Sequence, residues 1–301
     1  MPRELRFDPF RVLTEAEREA HLHRYREFLG TRDGQPDLTA RTLAVREPRM
    51  SEIEQRPVAW EGALDRSAFE RFLSGDKRGP FDARTELVLA AALANESEAY
   101  GVDIELRRFA RNNTLPGLRS ADLLLTVYVE EAYHCRILAA LCRTCGVEFE
   151  PRRPGALLRS LVWVIGALPG AMRWVPVMAG ETVATAVFRL LHARADLFEA
   201  HPEVRDRVQQ LLRDIWIDEV GHVAFLRAQL GRLGLLASRA LLPVVARTVL
   251  HQLPPLPHLG IDAGRILAAL RDGIEVPPEM SWLAEADDSV DVREGVHALR
   301  T

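Results

Sequence analysis

The chain lacks the features that would divide it. No Gly/Ser-rich linker and no low-complexity tract interrupts its 301 residues, so one domain over 1–301 with embellishments is expected. It has no strong charge of either sign. With 43 acidic against 39 basic residues and a net charge of -4, there is no electrostatic case for nucleic acid. Arginines and acids interleave at helical spacing, the pattern of a solvated face. No apolar run reaches the ~18 residues of a membrane span. The longest, Leu161 to Met172, contains Pro169 and stops at Arg173, and it reads as a buried helix with no membrane partner. The stretch Met1 to Arg6 lacks the basic-then-apolar layout of a signal peptide.

Cysteine is equally scarce. Three cysteines cannot all pair, which argues against a disulfide framework and for a reducing, cytoplasmic setting. Cys142 and Cys145 form Cys-x-x-Cys, yet no βαβ context or second cysteine pair accompanies them, so core thiols near a helix end are expected. No segment sustains period-two alternation, and no Asn-Gly or Asp-Gly hairpin joins two such runs. The expected fold class is all-α.

What is present is a set of long amphipathic stretches. Thr14 to Leu29 opens with Thr14 and Glu17 spaced as a capping box. A polar stretch runs from Gly30 to Asp37. Pro48, Pro57 and Pro80 break the remainder of 1–80, apart from a short helix over Asp65–Leu73. This N-terminal region carries no chemical motif and reads as a wrap around a helical bundle, and as a candidate substrate entrance. Long helices are expected over Asp82–Arg111, Ser120–Thr144, Met172–Leu197 and Pro202–Leu233, with a short apolar one over Ala156–Leu168. Further helices span Ala237–Leu250 and Ala263–Leu270 within 235–282, and 283–301 reads as an acidic tail.

Glu131-Ala132-Tyr133-His134 is the stretch around which the rest is arranged. A Glu and a His three apart on a helix project from one face. Here that face is otherwise apolar, with Leu124, Val127, Tyr128 and Leu138 upon it. Groups of this kind aimed into a core must be paired or bound to a metal. A second copy, Glu219-Val220-Gly221-His222, lies in another long amphipathic stretch. A third, Glu294 to His297, lies in the charged tail without an apolar face and is set aside; about one chance match is expected in a chain with this much Glu and His.

Two more helices each offer a carboxylate. Glu181 stands among Trp174, Val177, Met178, Ala184 and Phe188. On the first long helix Glu96 shares a face with Leu89, Ala92 and Leu93, whereas Glu98 shares one with smaller residues, Ala91, Ala94 and Gly101. Pattern alone favours Glu96 as the inward acid, with Glu98 as the alternative. His192 reads as a core or rim histidine. The set is therefore Glu96, Glu131, His134, Glu181, Glu219 and His222, one carboxylate per helix and a histidine on two of them.

Over residues 82–234 this arrangement resembles the ferritin-like non-haem di-iron oxygenases, whose known pattern it matches. The resemblance implies a ferritin-like four-helix bundle with additional N- and C-terminal helices, and two iron ions as cofactor, with manganese as the alternative. It also implies that the acids Glu130 and Asp218 hydrogen-bond the ligand histidines and orient them. Thr185, one turn after Glu181, matches a threonine near the oxygen pocket of bacterial di-iron hydroxylases; a bond to its own helix backbone is the competing reading. Glu-Ala-Tyr-His and its spacing from Glu96 look most like the p-aminobenzoate N-oxygenase branch. That branch has a further histidine ligand one turn before the last Glu, where this chain has Ile215. Leu138 stands where a ribonucleotide reductase small subunit would carry its radical tyrosine.

The implied activity is O₂-dependent N-oxygenation or hydroxylation of a small organic substrate. Leu93, Tyr100, Phe188 and Trp216, with Thr185, are the expected pocket residues. No flavin or nicotinamide fingerprint is present, so the electrons are expected from an external ferredoxin or reductase. A homodimer is the candidate assembly. Ferroxidase or iron handling, a di-manganese catalase-like enzyme and a metal-free helical scaffold are the rival readings.

Overall fold

The computed structural model describes residues 5–33, 46–55, 64, 66–74, 81–112 and 121–285. Most of them are helical. The elements run β1 (Arg6–Phe7), α1 (Glu15–Asp33), α2 (Glu47–Gln55), α3 (Arg66–Leu73), α4 (Ala83–Asn112), α5 (Ala121–Thr144), α6 (Ala156–Ala167), α7 (Trp174–Ala193), α8 (Pro202–Gln229), α9 (Arg232–Gln252), α10 (Ala263–Leu270) and β2 (Ile274–Glu275). Four long helices form the centre. α4 packs on α5, α5 on α8, and α8 on α7, while α9 lies on the outer side of α7. The all-α expectation holds apart from one small ladder, in which Arg6 and Phe7 of β1 pair antiparallel with Glu275 and Ile274 of β2.

Local chemistry accounts for most boundaries. The Thr14 amide donates to Glu17 Oε2 at 2.6 Å and the Glu17 amide to Thr14 Oγ1 at 3.3 Å, closing the capping box before α1. Asp82 Oδ1 accepts from the Arg84 and Thr85 amides at 3.0 and 3.2 Å and starts α4. Gly146, at φ +74°, turns the chain out of α5.

Five expectations need correction. α1 continues to Asp33, beyond the polar break expected at Gly30. The proline-broken stretch contains α2, because Pro48 falls in its first turn, where a missing N–H costs nothing. The fourth long helix ends at Gln229, short of Gly234. Leu230 is extended there, and its carbonyl accepts from Arg18 Nη2 at 3.1 Å. Gly234 lies inside α9, where a Cβ would come within 3.0 Å of Leu230, so it serves close packing instead of a stop. Finally, α6 has no buried residue at all, contrary to the buried helix expected from its apolar run. The start of the expected acidic tail also belongs to the fold, for Leu283 and Ala284 are buried. The tail beyond Glu285, with Glu294 and His297, lies outside the described residues, as do Pro57 and Pro80.

Two helical stretches, Gly170–Phe198 and Arg232–Gln252, are long and apolar enough to cross a membrane by length and composition alone. Just over half of the first is buried inside the protein. The three cysteines are unpaired. Cys142 and Cys145 are buried, and burial pushes the Cys142 thiol up to about 12, leaving it an inert core group.

α1 is docked by polar bonds as well as by packing. His21 is buried, its Nε2 within 2.9 Å of the Ala224 carbonyl and its Nδ1 3.4 Å from the Arg227 guanidinium. Burial and the adjacent Arg227 hold it down at about 3. The unfolded chain therefore binds a proton near pH ~6.5 that the folded chain refuses until about 3, so this residue withdraws stability as pH falls through that window. Urea midpoints measured between about pH 7 and 5 should fall less steeply for His21→Gln than for the parent protein.

Candidate metal centre

The site is built where α4, α5, α7 and α8 converge. On α5 and α8 the i, i+3 spacing places Glu131 with His134 and Glu219 with His222 on inward faces. His134, His222 and Glu219 are almost wholly buried. α7 contributes Glu181. Glu131, Glu181, Glu219 and His222 form one group whose nearest ligand atoms all lie within 4.8 Å of one another; Glu98, Glu131 and His134 form a second. Glu131 belongs to both, so the groups join into one cluster.

α4 contributes Glu98 and not Glu96. Glu98 hydrogen-bonds Glu131, whereas Glu96 lies half-buried toward the Arg152 backbone, on another surface shared with Phe72, Leu157 and His251. The physical reason is size. Ala91, Ala94 and Asn95 let α4 approach α5, with Asn95 Nδ2 donating to the Cys135 carbonyl at 3.1 Å. Past Glu98, Gly101, Val102 and Glu105 then leave a cavity open. Bulk marks the packed face of this helix, and small residues mark the one that faces the site.

The two acids preceding the motif glutamates are crossed between helices. Asp218 of α8 contacts His134 of α5, with Oδ2 3.3 Å from Nε2; Glu130 of α5 contacts His222 of α8, with Oε2 3.1 Å from Nε2. Each histidine is thus held through Nε2, which leaves Nδ1 turned to the cluster. His222 Nδ1 lies 3.0 Å from Glu131 and 3.4 Å from Glu181, and His134 Nδ1 lies 3.5 Å from Glu131 and 3.6 Å from Glu219. Both Nδ1 atoms are buried without a hydrogen-bond partner of acceptable geometry, as is Glu219 Oε2. Lone pairs converging on lone pairs in a dry core are unfavourable unless a proton or cation lies among them. Carboxylate oxygens with neutral imidazole nitrogens, held from outside, form the donor set that suits iron, manganese or zinc.

The electrostatics show the same demand for positive charge. Burial, then the neighbouring Glu131 and Glu181, push Glu98 well above the usual carboxylate range; burial with Glu181 and Glu131 does the same to Glu219. Burial also works against ionised Glu131, but His134, Glu98 and His222 outweigh it and hold Glu131 well below. His222 is raised well above its ordinary value despite burial, by Glu130, Glu131 and Glu181.

The N-terminal region holds residues that sequence reasoning missed. Arg46 is buried at the back of the site. Its Nη1 donates to Asp218 Oδ2 at 2.6 Å, and its Nη2 donates to Glu130 Oε1 at 2.7 Å and Asp218 Oδ1 at 3.0 Å. Its amide donates to the Tyr133 hydroxyl at 3.2 Å. Arg32 adds a second ion pair to Asp218 Oδ1 at 2.9 Å. One guanidinium therefore ties together the two acids that orient the two histidines. Nothing local in a proline-broken stretch signals this. The one clue is Glu130 and Asp218 themselves, two more buried acids than the histidines alone could balance.

The cavity beside the cluster has a volume of about 280 Å³. Glu98, Glu131, Glu181 and His222 form its inner end, and Val102, Leu124, Trp174, Val177 and Phe225 are among its apolar walls. None of the five expected pocket residues lines it. Leu93 and Tyr100 border other surface clefts, Phe188 is packed in the core, and Trp216 lies 5.9 Å from the His192 ring. Thr185 donates to the Glu181 carbonyl at 2.8 Å, the backbone reading of that residue. The large side chains that line the cavity are Trp174, Phe225 and Tyr128 in place of Phe188 and Trp216.

Comparison with protein-family models, with curated proteins and with solved structures returns no match.

Removing Arg46 leaves Glu130 and Asp218 short of a buried partner. Arg46→Met should cost about 3–5 kcal/mol of unfolding free energy. Chemical denaturation measures it, and a loss under about 1 kcal/mol, the value of an exposed pair, would contradict the buried clamp.

Proposed function

We propose that this chain is a non-haem di-iron oxygenase that oxidises a small, largely apolar organic substrate by N-oxygenation or hydroxylation. One observation carries the reading: two buried imidazoles, each held through Nε2 by an acid from the opposite helix, aim unpartnered Nδ1 atoms at four converging glutamates. The resemblance to ferritin-like di-iron oxygenases supports it, with four long helices at the centre and one carboxylate from each.

Glu98, Glu131 and His134 would hold one ion and Glu181, Glu219 and His222 the other, with Glu131 between them. Iron bound there supplies O₂ activation, with electrons from an external ferredoxin or reductase. The chain supplies the surroundings. Asp218 and Glu130 fix the imidazole tautomers, and Arg46 keeps both acids ionised and in place. The apolar walls exclude water from the reacting end.

The cavity also favours substrate oxidation over iron storage, since a ferroxidase needs an ion path and not an apolar chamber. Its outer end is polar. Tyr128 donates to Glu105 at 3.1 Å, with Arg173 3.8 Å from the same carboxylate and 4.3 Å from the Trp174 ring centroid. Glu105 is two turns from Glu98 on α4, roughly 10 Å along the axis. The substrate that fits is an apolar body of about that length, with a polar group opposite the carbon or nitrogen to be oxidised.

Protein purified from iron-replete cells should contain about two irons per chain. It should consume O₂ when reduced. Glu131→Ala with His222→Ala should abolish both, and Glu98→Ala should lower iron content where Glu96→Ala does not. Absence of iron after anaerobic Fe(II) reconstitution would leave the metal-free scaffold in its place. Val177→Trp narrows the cavity without replacing a candidate ligand, and should depress substrate turnover at least ~10-fold with iron content unchanged.

A further inference from the structure

α6 carries twelve residues and buries none of them. Trp163 is 72% exposed, Leu157 55% and Val164 49%, and Met172 just beyond the helix is 60% exposed. α9 shows the same habit on its outer side, with Leu233 83% exposed and Val244 57%. Among the described residues, eight of the ten large exposed apolar side chains lie on α6, the turn after it or α9; the other two are Leu5 and Val12. Apolar surface concentrated this way marks an interaction site.

The two helices share one side of the molecule. The start of α6 and the end of α9 line a common cleft, through Ala156 and Leu157 on one and His251 and Gln252 on the other. Midway along α9, Ser238 Oγ donates to the Val175 carbonyl at 2.9 Å, beside the start of α7.

Charge distinguishes the partners. Residues 151–180 and 220–261 contain no Asp or Glu. Arg232, Arg239 and Arg247 are exposed on α9, and Arg152, Arg153 and Arg159 are exposed around the start of α6, where Asp103 of α4 is the acid that shares their cleft. A second copy docked about a two-fold axis would set this arginine-bearing face against itself. An anionic lipid surface meets both properties, taking the apolar side chains below its headgroups and the arginines among them.

We propose that the α6–α9 face docks on an anionic bilayer surface. It lies on the membrane and does not cross it. α6 is too short to span at 1.5 Å per residue, and the inner side of α9 (Leu235, Ser238, Leu242 and Ala246) is buried in the protein. The expectation of no membrane partner, drawn from the lack of a spanning run, does not bear on this mode. Docking also has a use. Val162, Ile165 and Gly166 on the other side of α6 line the cavity at the carboxylate cluster, so an apolar molecule dissolved in the bilayer would meet the cavity wall directly. The docking itself is independent of the oxygenase reading and needs neither metal nor turnover.

The test is flotation of the full chain with vesicles of phosphatidylcholine alone and of phosphatidylcholine with phosphatidylglycerol. The protein should float with the anionic vesicles, less so at high salt. Leu161→Ser with Trp163→Ser should weaken partition by roughly tenfold per side chain, with helical circular dichroism unchanged. Arg152→Glu, Arg153→Glu and Arg159→Glu together should abolish the preference for anionic lipid. The proposal is overturned if the parent chain does not float with anionic vesicles. It is overturned equally if light scattering shows a stable dimer that the Leu161/Trp163 variant dissociates, since the face would then be covered by a second copy.

Discussion

Burying acids is the constraint that organises this protein. Glu130, Asp218 and Glu219 are almost wholly enclosed, and Glu98, Glu131 and Glu181 line a largely apolar cavity. A carboxylate removed from water must be neutralised, bonded or protonated, at a cost of several kcal/mol if it is none of these. The structure divides the burden in two. Behind the histidines, Arg46 and Arg32 neutralise Asp218 and Glu130 with direct ion pairs. In front of them the cavity's arginine, Arg173, stands against Glu105, and the demand of Glu98, Glu131, Glu181 and Glu219 for positive charge falls on the two imidazoles and on whatever cations they admit. The same fold is therefore closed to charge on one side of each ring and open to it on the other.

This division gives the N-terminal region its importance. α1 and α2 cover α8 and α5 from outside, and Arg46, immediately before α2, stands where a single guanidinium reaches both acids. Without that clamp Asp218 and Glu130 would repel each other, and the tautomer that turns Nδ1 inward would lose its enforcement. The wrap is a structural wall of the site, and it carries the guanidinium that pairs with both orienting acids.

The parts legible in the sequence are those set by local rules. The capping box at Thr14 and Glu17, the cap at Asp82 and the i, i+3 pairs on α5 and α8 depend on residues within a turn of one another, and the structure keeps each. Glu131, His134, Glu181, Glu219 and His222 come together, and Glu130 and Asp218 stand behind the histidines as the resemblance implies. What fails is inference from bulk. Glu96 stands out because its neighbours are large, yet a site with a cavity beside it needs small ones, and Glu98 has them. Bulk does not separate pocket walls from core either, for Trp174 and Phe225 line the cavity whereas Phe188 and Trp216 do not. Arg46 is invisible for another reason, since its partners lie 84 and 172 residues away and no periodicity encodes such a contact. α6 reads as buried by composition and is exposed in fact, a distinction that depends on what stands beside it.

The central claim is that the glutamates and inward Nδ1 atoms form two cation sites sharing Glu131. Anaerobic titration of the metal-free protein with Co(II), monitored through the visible ligand-field bands, tests it most directly. The expected result is saturation at about two equivalents per chain and the loss of both sites together in Glu131→Ala. Saturation at one equivalent, or undiminished binding in that variant, would contradict it.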